Sequence, residues 1–240
     1  MTAYRLLNAG DTAVVVEFGE AIDRSLNALV LALDRRLSAE RWIFETVPTF
    51  RSLMIYYDPD AISYADIAGR IADHISELEV VEHSSRTWRL PVCYDVEMAP
   101  DLNDVAAYTG LRADQIVERH SGPLYHVYML GFLPGLAYMG DLSPEMQVPR
   151  LQSPRLRIPA GSLGIAMAMS LIMPRETASG LNLIGRSPVA MWHGNAALVK
   201  PGDKVIHQPI SLREFDQLMA ESGTDGLRIE QVEEVTHFAA

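Results

Sequence analysis

The sequence predicts an α+β amino-terminal domain over residues 1–82, followed by a mainly-β barrel domain over residues 83–240. Three observations carry this division. Through the first third of the chain the patterns run strand, strand, helix and then strand, strand, helix again. The polar run Val80-Val81-Glu82-His83-Ser84-Ser85 then reads as a link. Beyond it, short apolar runs broken by Gly and Pro become frequent, as a barrel or sandwich requires.

The elements follow in order. Tyr4 to Leu7 and Thr12 to Phe18 read as strands joined by the turn-forming Asn8-Ala9-Gly10-Asp11. Asp23 or Ser25 caps a helix reaching Leu37, whose Leu26, Leu29, Val30 and Leu33 fall on one face. Strands at Ile43 to Val47 and Ser52 to Tyr57 come next, and Asp58-Pro59 stops the second. Ser63 starts a helix whose Ile67, Ile71 and Ile75 keep helical period, with His74 and His83 at the exposed end. In the second domain Trp88 to Tyr94 is strand-like, and Asp101 and Leu111-Arg112 begin two short helices ending near Arg119. Ser211, with Glu214 three residues on, forms a capping box for a helix to Ala220, and Gly226 to Val235 reads as a last strand.

Hydrophobic residues make up 48% and charged residues 21% of 240 residues, which suits a packed globular protein. A formal charge of -11 excludes a general nucleic-acid binder or a protein held on an anionic membrane surface, both of which need clustered Lys and Arg. Cys93 is the only cysteine, so a Cys-based zinc site is excluded; its place in a strand marks a small buried hydrophobe. The opening MTAYRLLNAGDT lacks a secretion signal's layout, and no run approaches the roughly 20 apolar residues of a membrane span, so a cytoplasmic location is expected.

Most chemical information lies between His120 and Pro209. In Tyr125 to Gly140, the aromatics Tyr128, Phe132 and Tyr138 stand beside Gly131 and Gly135. Glycine lets backbone approach a ligand that aromatic rings wall in, although a bulged barrel corner has the same composition. Arg150, Arg155 and Arg157 are set among prolines that hold the backbone extended, so each guanidinium can form a pre-organised fork for carboxylate or phosphate. Surface ion pairing with the 31 acidic residues is the alternative. Pro159-Ala160-Gly161-Ser162-Leu163-Gly164 offers backbone N–H groups to an anion, but lacks the Lys-Ser or Lys-Thr ending of a P-loop. His120, after a helix, is placed where the dipole favours its protonated form and can be an acid, an anion ligand or a cap. Ser162, His120 and Asp141 supply the residue types of a hydrolytic triad without its nucleophile-elbow pattern. The six-residue gap between His120 and His126 gives no metal-ligand cluster.

Taken together, GFLPGLAYMG, PRLQSPRLRIPAGSLGIA, LIGRSPVAMW and PGDKVIHQPI, with GDTAVVVEFG and VPTFRSLMIYYDP near the start, resemble the family of the 5-oxoprolinase B-subunit, allophanate hydrolase subunit 1 and the kinase inhibitor KipI. The resemblance spans nearly the whole chain. It implies a cyclophilin-like barrel behind a small α/β domain. The partners it implies are a homologous larger subunit, of the 5-oxoprolinase C-subunit or allophanate hydrolase subunit 2 kind, and a protein like the 5-oxoprolinase A-subunit. It also implies ATP-driven opening of an amide or lactam, such as 5-oxoproline to glutamate, with ATP bound here or by a partner and no metal in this chain. Arg150, Arg155, Arg157 and Arg186 are then expected on the substrate's carboxylate or phosphate, with Tyr128, Phe132 and Tyr138 as walls, Gly131, Gly135, Gly161 and Gly164 shaping the loops, and His120 as the catalytic candidate.

One departure matters. Where the family tends to read QTGIYP this chain has Met169-Ser170-Leu171-Ile172-Met173-Pro174, and for PGGW it has Ala178-Ser179-Gly180-Leu181. Losing an amide and a hydroxyl removes hydrogen bonds worth about 1 to 3 kcal/mol each in a desolvated pocket. Two alternatives therefore stand beside the hydrolase. One is a KipI-like regulator of a histidine kinase, using an exposed Met-rich face at Met169, Leu171, Met173 and Leu181. The other is the carboxyltransferase component of a urea-carboxylase-like system.

Overall fold

The structure, a computed structural model, describes residues 3–78, 85–222, 226 and 233–234. The chain divides into two compact units, residues 1–84 and 85–240. The first contains β1 (Arg5–Asn8), β2 (Ala13–Glu17), α1 (Arg24–Leu37), β3 (Ile43–Pro48), β4 (Ser52–Tyr57) and α2 (Tyr64–Ser76). Its strands form one antiparallel sheet in the order β1-β2-β4-β3. Alternation puts Val14, Val16, Leu53 and Ile55 on the face that meets Leu33 and Leu37 of α1 and Ile67 and Ile71 of α2, all fully buried.

The helix starts follow the capping chemistry in the sequence. Asp23 accepts the N–H groups of Ser25 and Leu26 at 2.8 and 3.2 Å, and Ser63 accepts that of Asp66 at 3.2 Å. His74, expected as a free surface histidine, is half-buried, with Nε2 3.1 Å from Glu40 Oε1. His83 and the link Val80 to Ser84 lie outside the described residues.

The second unit begins with β5 (Thr87–Cys93), α3 (Leu102–Thr109), α4 (Ala113–Ser121), β6 (Tyr125–Leu130) and β7 (Ala137–Gly140). It continues with β8 (Arg155–Ile158), β9 (Ser162–Ala166), β10 (Met169–Ile172), β11 (Thr177–Ser179) and β12 (Asn182–Arg186). Last come β13 (Trp192–His193), β14 (Ala196–Ala197), β15 (Lys204–Ile210), α5 (Leu212–Ser222) and β16 (Glu233–Glu234). Neighbouring strands run β12-β9-β10-β7-β6-β15-β5, and pairing of Arg186 with Cys93 returns β12 to β5, closing a seven-stranded barrel without a free edge. Only β15 and β5 pair in parallel among the described strands, from Lys204 with Thr87 to Ile210 with Cys93. β8 and β11 form a separate ribbon.

The barrel is filled by Leu90, Val92, Val127, Met139, Leu163, Ile165, Ile184 and Val205, each fully buried. Cys93 is a buried wall residue, and burial pushes its thiol up to about 11, which makes it inert. Buried Asp203 holds the approach to β15, accepting Trp88 Nε1–H at 3.1 Å and Lys200 N–H at 2.9 Å. Ser211 and Glu214 form the expected capping box. Of the expected tail strand from Gly226 to Val235, Glu233 and Glu234 pair with β5, and most of the remainder lies outside the described residues. Among the described residues no helix is long and apolar enough to cross a membrane.

Gly161 is where the barrel tolerates least change. It has φ 79°, a region costly for any side chain, and a Cβ there would sit 2.2 Å from Ser187 O. Gly161→Ala is expected to destabilise the barrel by about 2 to 4 kcal/mol, read as a fall in the denaturant midpoint.

Candidate functional site

The segment joining β6 to β7 turns within six residues. Leu136 O accepts the Gly131 N–H at 3.2 Å, and Gly131 O accepts the Leu133 N–H at 2.8 Å. Gly135 turns at φ 81°, where a Cβ would lie 2.7 Å from Met191 O and 2.8 Å from Trp192 Cβ, so only glycine lets this turn seat against residues 191 and 192. Phe132 adopts φ 69° without being glycine and is 75% exposed. A non-glycine residue held this way costs about 1 to 3 kcal/mol, and such strain collects at binding sites.

Phe132 stands at the rim of a cavity of about 130 Å³. Leu136 and Tyr138 come to it from the turn and β7, Leu171 and Met173 from β10 and its exit, and Ala178 to Leu181 from β11 onward. Arg150 completes the lining, held close because Leu151 N–H donates to Gly180 O at 2.8 Å. Among the described residues Arg150 has no hydrogen bond or ion pair. Gly164 supports the far wall, for a Cβ there would lie 2.7 Å from Leu181 Cβ. An apolar cavity of about 150 Å³ takes up benzene, so this one suits a ligand of that bulk and is too small to enclose a nucleoside triphosphate.

Of the residues singled out by sequence, the structure brings Phe132, Tyr138 and Arg150 together here, with Gly131, Gly135 and Gly164 behind them. It does not bring the other arginines. Arg155 grips Asp101 through two bonds, Nη1 to Oδ2 at 2.8 Å and Nη2 to Oδ1 at 2.5 Å. Asp101 is 3% exposed, and a buried carboxylate needs an opposite charge more than a surface ligand does. Arg157 pairs with Glu176 at 2.6 Å on the surface. Arg186 donates to Ala160 O at 2.9 Å and lies over the Phe215 ring of α5. The single anion-receiving hollow expected from four arginines is thus reduced to one guanidinium.

The Gly-rich stretch is also corrected. Gly161 N–H donates to Met173 O at 2.8 Å and Ser162 N–H to Pro159 O at 3.3 Å, so these donors serve the turn and not an anion. Tyr128 is 1% exposed and its hydroxyl donates to Asp141 at 2.6 Å, away from the cavity lining. No triad forms, because Ser162 Oγ donates to Pro159 O, Asp141 is engaged by Tyr128, and His120 has other partners.

His120 is neither a cap nor a surface acid. It is fully buried, with Nδ1 2.7 Å from the Tyr94 hydroxyl and Nε2 2.9 Å from Ser170 Oγ. Its ring stacks on His207 at 4.5 Å and lies 5.4 Å from that of Tyr125. Desolvation outweighs the helix dipole: burial holds His120 well below the usual histidine range and His207 at about 3, so both are neutral. Neither ring nitrogen of His207, nor the Tyr125 hydroxyl, has a hydrogen-bond partner among the described residues. Ser170, which is hydrogen-bonded to His120, and Leu171, which lines the cavity, are adjacent on β10 and face opposite ways, so this strand is the wall shared by the buried cluster and the cavity. His207 lies inside the PGDKVIHQPI run, but nothing local in that run marks it as a partner of His120.

Among the described residues no group of three or more His, Cys, Asp or Glu is placed to hold a metal ion.

Residues 4–199 match the family described as carboxyltransferase domain, subdomain C and D. The chain is 33% identical to the 5-oxoprolinase B-subunit of Bacillus subtilis, over 91% of this chain and 98% of that protein. It is 34% identical to the 5-oxoprolinase B-subunit of Escherichia coli O157:H7, over 83% of this chain and 93% of that one. The crystal structure of TTHA0988 matches with a TM-score of 0.74 and 30% identity over 84% of this chain, which corresponds to 40% of that longer chain. Kluyveromyces lactis urea amidolyase matches with a TM-score of 0.78 over 97% of this chain and 16% of its own, and at 18% identity it shares the fold.

Proposed function

This chain belongs to the carboxyltransferase-domain subdomain C and D family, and we propose that it is one subunit of an ATP-dependent amide or lactam hydrolase of the 5-oxoprolinase type. The observation that carries the reading is a guanidinium unpaired among the described residues, Arg150, at a benzene-sized cavity rimmed by the strained Phe132. Such a group receives one carboxylate, and 5-oxoproline is a five-membered ring bearing one. The relatives named as B-subunits of 5-oxoprolinase support an enzyme component that works with other subunits. ATP is bound here or by a partner like the 5-oxoprolinase A-subunit, and a homologous larger subunit completes the site in the cytoplasm.

The aliphatic residues that would give a regulator its adaptable surface do not provide one. Met169 is 8% exposed, and Leu171, Met173 and Leu181 are 4% exposed each. They line or back a cavity, which favours a small ligand over a protein partner.

The test is the chain purified with its genomic neighbours and assayed for ATP-dependent release of glutamate from 5-oxoproline. Arg150→Ala in that assembly is expected to raise KM by about 10- to 100-fold, the worth of one charge-assisted hydrogen bond. A complete assembly without turnover removes this substrate, and an unchanged KM removes Arg150 from its recognition.

A further inference from the structure

We propose that the cavity of this chain recognises a small carboxylate by its hydrocarbon body, and that it does not read the amide. The inference rests on the substrate reading above and specifies which part of the ligand this chain holds. Among the lining residues only Arg150, Tyr138 and Ser179 have polar side-chain atoms. Ser179 Oγ already accepts the Leu181 N–H at 3.2 Å, and Tyr138 has an interaction partner within the chain. The side chains that line it otherwise are mainly aliphatic, those of Leu136, Leu171, Met173 and Leu181 among them.

A lactam pressed against such walls loses the water bound to its N–H and C=O and finds at most the Ser179 hydroxyl in replacement. A ring of methylenes loses nothing. The guanidinium of Arg150 is the one strong polar group, so the cavity selects a single negative charge on a compact apolar body. Leu171 and Met173 are the specificity-determining residues, and a substrate amide, where there is one, points out of this cavity towards groups that a partner protein supplies.

Three ligands of one size separate the contributions, with direct binding to the purified full-length chain followed by calorimetry. Cyclopentanecarboxylate keeps the ring and the charge of 5-oxoproline without the lactam, and cyclopentanecarboxamide removes the charge. Cyclopentanecarboxylate is expected to bind about tenfold tighter than 5-oxoproline, from one uncompensated amide, and to lose that affinity in Arg150→Ala. The near-isosteric Met173→Gln puts an amide into the wall and is expected to narrow or reverse the preference. Equal or tighter binding of 5-oxoproline by the unsubstituted chain overturns the proposal, as does absence of saturable cyclopentanecarboxylate binding, or binding that matches the carboxamide. Glutamate release by the complete assembly is read separately. Turnover without the hydrocarbon preference sinks this inference alone, and the preference without turnover sinks the hydrolase reading alone.

Discussion

Arg155→Leu is expected to destabilise the barrel by about 3 to 5 kcal/mol, because it leaves the buried charge of Asp101 without its counter-ion. Asp101 stands at the start of α3, yet its side chain caps nothing there. It turns instead to the barrel, taking two bonds from Arg155 and a third from Leu183 N–H at 2.6 Å on β12. One carboxylate thus ties a helix, the β8 ribbon and the barrel wall together. The two partners are unequal. The Arg155 side chain is 35% exposed and can hydrate when unpaired, whereas that of Asp101, at 4%, cannot. Asp101→Asn should accordingly cost less than Arg155→Leu. Replacing both with Leu should recover much of the loss, since apolar groups of similar size often match a buried ion pair. Denaturant unfolding of the two single variants and the double variant closes the cycle. An Arg155→Leu protein with an unshifted midpoint but weakened anion binding would restore Arg155 as a substrate ligand and sink the structural role.

That pair also shows what a linear sequence conveys and what it does not. The strands and helices were legible because each is announced within a few residues: Ile67, Ile71 and Ile75 by period, Ser63 and the Ser211–Glu214 pair by capping chemistry. The barrel's identity was legible from several motifs in register. Arginine roles were not, since what decides them is the nearest carboxylate in space, and Asp101 is 54 residues from Arg155. Of the four arginines proposed for substrate, Arg155, Arg157 and Arg186 meet the protein's own acceptors. Only Arg150 is reached by no acidic side chain among the described residues and lines the cavity. The lining residues Leu171, Met173 and Leu181 stood out as departures from a family pattern, and their placement on one cavity gives the departure a physical meaning.

Acid should unfold the second unit in a pH window that its carboxylates do not explain. His120 and His207 are buried and neutral, with His207 held at about 3 and His120 well below its usual value. In the unfolded chain both titrate near pH ~6.5. Above that value neither state binds the proton and the pair contributes no pH dependence. As pH falls below it, the unfolded state takes up two protons that the folded state refuses, so stability is lost on acidification, down to about pH 3 for His207. Each histidine gives a slope of up to about 1.4 kcal/mol per pH unit, so the pair removes roughly 4 kcal/mol by pH 5, much of the stability of an ordinary domain. The carboxyls of this unit held low, such as Glu214 by the Ser211 backbone, act only at lower pH, within and below the usual carboxylate range. Unfolding free energies between neutral pH and mild acid should fall with a two-proton slope in the unsubstituted chain and a one-proton slope in His207→Phe. That substitution removes the two unpartnered ring nitrogens while keeping a ring to stack on His120. An unchanged slope in the variant would mean that the His207 imidazole is reached by solvent protons in the folded state, which contradicts its burial.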